Sequence, residues 1–161
     1  MNLNGTALLI SALGPVMLRL AGELTDGAIT AWAGPRTLSN YLVPTITRAA
    51  EAAGRPAPRV IAGVLGHVTS DVDASRRSVA VRFGGSGEMP SYRAMLDREG
   101  VASTADLLVA GDEETVEREL RRYNDAGATE ILVFAAGPDE ERARTVALLG
   151  ELARAKQAVA V

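Results

Sequence analysis

An α/β fold of alternating strands and helices is what this 161-residue sequence predicts, and three observations carry the prediction. Four apolar runs of strand length occur along it: TALLISAL (6–13), GAITAW (27–32), RVIAGVLG (59–66) and EILVFA (130–135). Between them lie longer stretches whose apolar residues recur at helical spacing. Gly14-Pro15, Gly34-Pro35, Gly54 and Gly127 punctuate the joins. Such alternation implies parallel strands joined by right-handed crossovers. Four units of this kind make either a small doubly wound sheet or half of an eight-stranded (β/α) barrel, a complete barrel needing roughly 250 residues.

Each element has its own local reason. Pro15 suits a first helical turn, where its missing N–H costs nothing, and Met17, Leu20, Ala21 and Leu24 then share a face. After the second strand, Thr37 is placed to cap a helix carrying Leu38, Leu42, Ile46 and Ala49, with a kink expected at Pro44 and an end at Gly54 and Pro56. Asp71 is placed to cap a helix that buries Val72, Val79, Ala80 and Phe83. Residues 84–111 break the rhythm with a GGSG turn, a helix SYRAMLDRE and a second short helix ADLLVA. Asp112 then caps a helix with Val116, Leu120 and Tyr123 inward and the pairs Glu114/Arg118 and Glu117/Arg121 outward. The last helix runs from Asp139 to Ala155, with Val146, Leu149 and Ala153 facing in.

An apolar fraction of 47% supplies one domain, residues 1–161, with a real core. Seventeen basic against twenty acidic residues leave no electrostatic footprint for nucleic acid or an anionic membrane, so small molecules or other proteins are the expected partners. There is no cysteine and only one histidine, His67, which excludes thiolate metal sites and argues against any metal centre. Chemistry must come from carboxylates, hydroxyls, backbone amides or a bound cofactor. The opening MNLNGT lacks a basic leader region, and the apolar stretch behind it breaks at Gly14-Pro15, too short to cross a bilayer. A cytoplasmic location is the expectation.

Ligands of parallel α/β sheets collect at the carboxyl ends of the strands, here residues 11–14, 30–34, 66–69 and 135–138. Gly14-Pro15 sets a turn without a side chain against a helix start, suited to a phosphate or a ring carbonyl, although a plain strand-to-helix turn has the same sequence. Trp32, the only tryptophan, stands at a strand end where an indole either walls a flat ring or packs the rim. His67 ends the third strand with no carboxylate in the neighbouring sequence to orient it, and reads as a rim residue. GGSG at 84–87 lacks the spacing of either nucleotide-binding glycine motif and reads as a helix stop. The acids of GDEETVEREL lie in a first helical turn, where negative charge is stabilising. No residue is assigned to catalysis.

The segments SALGPVMLRLAGELTDGAIT, GPRTL, PSYRAMLDREG and VAGDEETVERELRRYNDAGATEILV, in this order, resemble the C-terminal half of luciferase-like flavin or deazaflavin oxidoreductases, and within them the branch using coenzyme F-420. The resemblance covers residues 6 to about 153. It implies a TIM-like (β/α)8 barrel in which Leu8–Leu13 is the fifth strand, and a cofactor lying across the carboxyl rim. Carried onto this chain, the cofactor-binding positions are Ser11, Ala12, Leu13 and Gly14, with Ala31, Trp32 and Gly34 from the next strand end. Coenzyme F-420 is the implied cofactor, FMN the alternative, and the chemistry hydride transfer or monooxygenation on a small-molecule substrate. Strands one to four of such a barrel are missing from the sequence, so the resemblance also implies a partner: a separate N-terminal half-barrel or a second copy. A non-catalytic remnant or interaction module retaining the half-barrel is the competing expectation.

Overall fold

The computed structural model describes residues 5–159, with side chains as far as residue 155. The reading of the first four residues as a non-leader terminus lies outside the described residues. Five parallel strands form one sheet: β1 (Leu9–Ser11), β2 (Gly27–Ala31), β3 (Arg59–Val68), β4 (Val109–Gly111) and β5 (Glu130–Ala135). The connecting helices are α1 (Pro15–Leu24), α2 (Pro35–Thr37), α3 (Val43–Ala52), α4 (Val72–Phe83), α5 (Pro90–Glu99), α6 (Glu113–Asp125) and α7 (Asp139–Val159).

β3 is the hub. Its first half pairs with β2 from Gly27↔Arg59 to Ala31↔Gly63, and its middle pairs with β5 from Ile61↔Glu130 to Gly66↔Ala135. In a strand, successive N–H groups point to opposite edges. The Arg59 N–H bonds the Asp26 carbonyl and the Thr69 N–H bonds the Gly111 carbonyl, so β2 and β4 share one edge of β3, one beyond the other. β4 is the fifth strand that the sequence does not advertise. The expected helix ADLLVA is instead a single 3-10 turn, Thr104–Leu107, followed by Val109–Gly111 pairing to Gly66–Val68. The turn is fixed by a capping box between Ser103 and Asp106, and three residues are too few to leave a periodic signal.

Alternation decides which face is covered. Ala28 and Thr30 of β2, and Val60, Ala62, Val64, Gly66 and Val68 of β3, are buried beneath the helices. Gly66 has to be small, because a β-carbon there would lie 2.7 Å from Val133 on β5. The opposite face carries Ile29, Ile61, Leu65, Leu132 and Phe134; Leu65 packs against Val79 of α4, and the rest is largely open, with Leu132 42% and Phe134 55% exposed. A doubly wound fold covers both faces with helices, so this half-covered sheet corresponds to the other expectation, part of a barrel.

The helix entered at Pro35 is continuous through three windings: α2, a π-helical turn Leu38–Leu42, and α3. In the π turn the Val43 N–H reaches back five residues to the Leu38 carbonyl. Pro44 offers no N–H and its ring crowds the carbonyl four residues back, which accounts for a widened turn directly before it. The Thr37 side chain does not cap this helix. The Glu99 carboxylate, from the end of α5, accepts from the Arg36 and Thr37 N–H groups at 3.1 and 2.7 Å. Elsewhere the caps are as expected, Asp71 accepting from the Ala74 N–H and Asp112 from the Thr115 N–H. On α4 the buried positions are Ser75 and Val79, while Ala80 faces solvent.

α7 sits one residue out of the expected phase: Thr145 and Leu148 are buried and Val146 is 57% exposed. The cause is polar. Thr145 Oγ1 accepts from the Val68 N–H at 2.9 Å, just beyond the reach of β5, and donates to the Glu141 carbonyl at 3.0 Å. A buried N–H must be satisfied, and this hydroxyl does it. Thr145→Val keeps the volume and removes the acceptor, so it should cost about 1–3 kcal/mol in urea denaturation, the range for a stranded buried donor; an unchanged midpoint would show that Val68 finds another partner.

Candidate functional site

A cavity of about 500 Å³ opens where β2 and β5 end, against the middle of β3, within the size range of small-molecule sites. Ala31, Trp32 and Ala33 bound it after β2, Gly63 and Leu65 on β3, and Phe134 to Gly137 after β5. α4 supplies Ser78, Val79, Arg82 and Phe83. Tyr123 also lines it, and burial pushes its phenol well above the ordinary value, so it stays neutral at any physiological pH.

Trp32 is the only non-glycine among the described residues with a positive φ, +52°. For a bulky side chain that backbone state costs about 1–3 kcal/mol and must be enforced by its surroundings. It holds the indole 5.4 Å from the Phe83 ring at a tilt of 58°, so that β2 and α4 meet through an aromatic pair beside the cavity.

Next to this cavity lies a second, smaller one of about 290 Å³ lined by His67, Thr69, Ser75, Gly137 and Glu141. His67 Nε2 is 2.7 Å from Glu141 Oε2, and Nδ1 is 2.7 Å from Ser75 Oγ. Thr69 Oγ1 donates to the other Glu141 oxygen at 2.9 Å. With a neutral ring, Nε2–H donates to Glu141 and the Ser75 hydroxyl donates to Nδ1. With a protonated ring, Nδ1–H donates to Ser75, whose hydroxyl turns to the Asp71 carbonyl at 3.1 Å. Both states are fully hydrogen-bonded. These distances match a nucleophile, base and acid, but Ser75 and His67 are 7% and 4% exposed, and Ser75 Oγ is engaged twice. The relay therefore fastens α4 and α7 to the end of β3. It also fixes the β5–α7 loop: Gly137, at φ +93°, lies against the imidazole so closely that a β-carbon would fall 2.1 Å from Nε2.

The seven sequence-predicted cofactor positions fall into three groups. Ala31 and Trp32 line the large cavity. Ser11, Ala12, Leu13 and Gly14 form the rim beyond β1: Ser11 is exposed, Ala12 and Leu13 bury their side chains at 2% and 9% exposure, and only backbone and Ser11 face outward. Gly14 has open space around its α-carbon, with nothing within 4 Å of a built β-carbon. Gly34 is closed off, because the Glu99 carboxylate lies 2.3 Å from where its β-carbon would stand. Sequence reading had Thr69 within the strand-end stretch 66–69 but missed Ser75 and Glu141 around His67, and Phe83, Phe134, Arg82 and Arg142 around the cavity. Glu141 is 74 residues from His67, which is why no nearby carboxylate was visible. Among the described residues there is no group of three or more His, Asp or Glu placed to hold a metal ion, and no helix long and apolar enough to cross a membrane.

A parallel sheet with one face under helices, the other bare, and a cavity at its carboxyl edge is a section of a (β/α)8 barrel. The comparisons agree. Residues 5–130 match the luciferase-like monooxygenase family, and the chain belongs to it. A 5,10-methylenetetrahydromethanopterin reductase from Methanopyrus kandleri is 26% identical over 170 residues, an alignment covering 88% of this chain and 48% of that protein. An F-420-dependent glucose-6-phosphate dehydrogenase from Nakamurella multipartita is 28% identical over 156 residues, covering 88% and 45%. The solved structure of the coenzyme F-420 dependent tetrahydromethanopterin reductase from Methanopyrus kandleri superposes with a TM-score of 0.72 at 24% identity, over 89% of this chain and 49% of that one, and shows the shared fold. The chain spans about half the length of the relatives it matches.

The Glu141 carboxylate lies below its ordinary value of 4.5, held there first by the Thr69 hydroxyl, against burial, and then by His67. A carboxylate that binds its proton more weakly folded than unfolded stabilises the fold above its unfolded value and loses that contribution as pH falls through the folded one. Glu141→Gln should therefore flatten the acid limb of a plot of unfolding midpoint against pH below ~5. Parallel curves for the two proteins would remove Glu141 from the acid response.

Proposed function

We propose that residues 1–161 form one domain equivalent to the C-terminal half of a luciferase-like oxidoreductase barrel, binding a flat deazaflavin or flavin ring at the carboxyl rim. Coenzyme F-420 is the first candidate, because a dehydrogenase matched over 88% of this chain and a solved reductase matched over 89% of it are named for it, and FMN is the second. The observation that carries the reading is the bare apolar face meeting the aromatic-walled cavity, an arrangement that makes sense as a barrel lumen and its mouth.

The residues present fit such a ring. Trp32, Phe83 and Phe134 offer apolar walls, Gly63 opens the floor, and the unobstructed backbone at Gly14 offers a second edge. The bound cofactor would supply hydride transfer, and this chain would orient the ring and keep water from one side of it. The substrate is a small molecule taken from the cytoplasm. The occupant of the bare face is a set of four further β/α units, an N-terminal half-barrel, because the matched relatives are about twice as long and the open edges of β1 and β5 require pairing. On this reading the chain turns over no substrate until that half is present.

Gly14→Leu tests the rim. The site has space for the side chain, so thermal stability should be retained while affinity for F-420 or FMN, followed by cofactor fluorescence, falls roughly tenfold or more from blocked approach. Unchanged affinity would take this rim out of the site. Native mass distinguishes the occupants: a chain that stays monomeric until the N-terminal half of a relative is added fits the proposal, and a stable dimer binding cofactor alone points to a second copy.

A further inference from the structure

We propose that the mouth of the large cavity is a receptor for an oxyanion, a carboxylate or phosphate, carried on a planar ligand and met by Arg82, Arg142 and Ser78. That the anion's carrier is planar rests on the cofactor reading above; the anion site itself does not.

The charge at this mouth is one-sided. Of the side chains lining the cavity, Arg82 and Arg142 are the only ones ionised at neutral pH, and no carboxylate is among them. This stands out on a chain whose formal net charge is −3. Arg82 has no ion-pair partner among the described residues: its guanidinium stacks 5.2 Å from the centre of the Phe83 ring, an attachment that leaves its N–H edge free. Ser78 precedes Arg82 by four residues on α4, so hydroxyl and guanidinium share one helix face, and that face borders the cavity. Arg142 enters from α7 across the loop that the His67 relay holds in place. Its partner Asp139 is 92% exposed, and such a surface pair is weak enough to yield to a ligand. Aromatic walls beside two arginines lower the local dielectric and strengthen a bidentate grip on an anion.

The only tryptophan borders this cavity, so its emission reports occupancy without a label. Benzoate and benzamide share a ring and differ in charge. Benzoate should shift Trp32 emission saturably at concentrations roughly tenfold below those benzamide needs, the ratio expected for hydrogen bonds to a charged group. Arg82→Gln and Arg142→Gln should each reduce that ratio and the double variant abolish it, with far-UV circular dichroism unchanged, while Arg82→Lys retains part of it. FMN and riboflavin, read by flavin fluorescence, assign the source of the anion. If FMN is preferred and the double variant loses that preference, the oxyanion is the cofactor's phosphate. If only the benzoate preference is seen, it is the substrate's. Equal binding of benzoate and benzamide together with equal binding of FMN and riboflavin, or preferences that survive in the double variant, would overturn the proposal. A benzoate preference in a protein that binds neither flavin nor F-420 would instead overturn the cofactor reading and leave the anion site standing.

Discussion

Everything in this molecule hangs on β3. Its ten residues hydrogen-bond to β2 and β4 along one edge and to β5 along the other, so of the five strands only β1 is attached indirectly. All these pairings are parallel, which obliges each connection to travel back along the sheet as a helix. Right-handed crossovers that step the same way across the sheet, from β1 to β2 to β3, put their helices on one side. One face is thereby covered and the other left largely bare, and the candidate cavity lies at the carboxyl rim of the bare face.

The same geometry explains what could be read in advance. Four of the five strands announced themselves because a parallel strand between helices sits in a continuous apolar run, and the caps at Asp71 and Asp112 because their partners are three residues away. Failures came wherever a partner lies far along the chain. Glu99 caps a helix about 60 residues before it, a role no local pattern can reveal. Thr145 rotates α7 by one position because the Val68 amide, 77 residues away, needs an acceptor. β4 forms on the edge of the β3 tail, Gly66–Val68, a pairing its own three residues do not announce.

The site divides along the same line. Ala31, which ends β2, and Trp32 after it border the cavity, because the strand end itself fixes them. Gly34 is closed off, since Glu99 arrives from the excursion between β3 and β5 and takes up the space. That excursion is also what brings α4, with Phe83 and Arg82, over the strand ends, where they meet Trp32 and Phe134 of the regular units and Arg142 of α7.

At the amino end of the bare face, opposite the cavity, Arg59 grips Glu130 through two hydrogen bonds of 2.7 and 2.6 Å. Both side chains are about 40% exposed, so the pair adds little to the stability of this chain. Its consequence lies in selection. Any sheet that comes to cover the face must offer apolar groups to Ile61, Leu132 and Phe134 and a polar environment to the two charges below them. A sheet displaced along the strands would press hydrocarbon onto an ion pair and forfeit several kcal/mol of solvation. Two charges at one end of an apolar face would thus favour one alignment of any covering sheet over its neighbours.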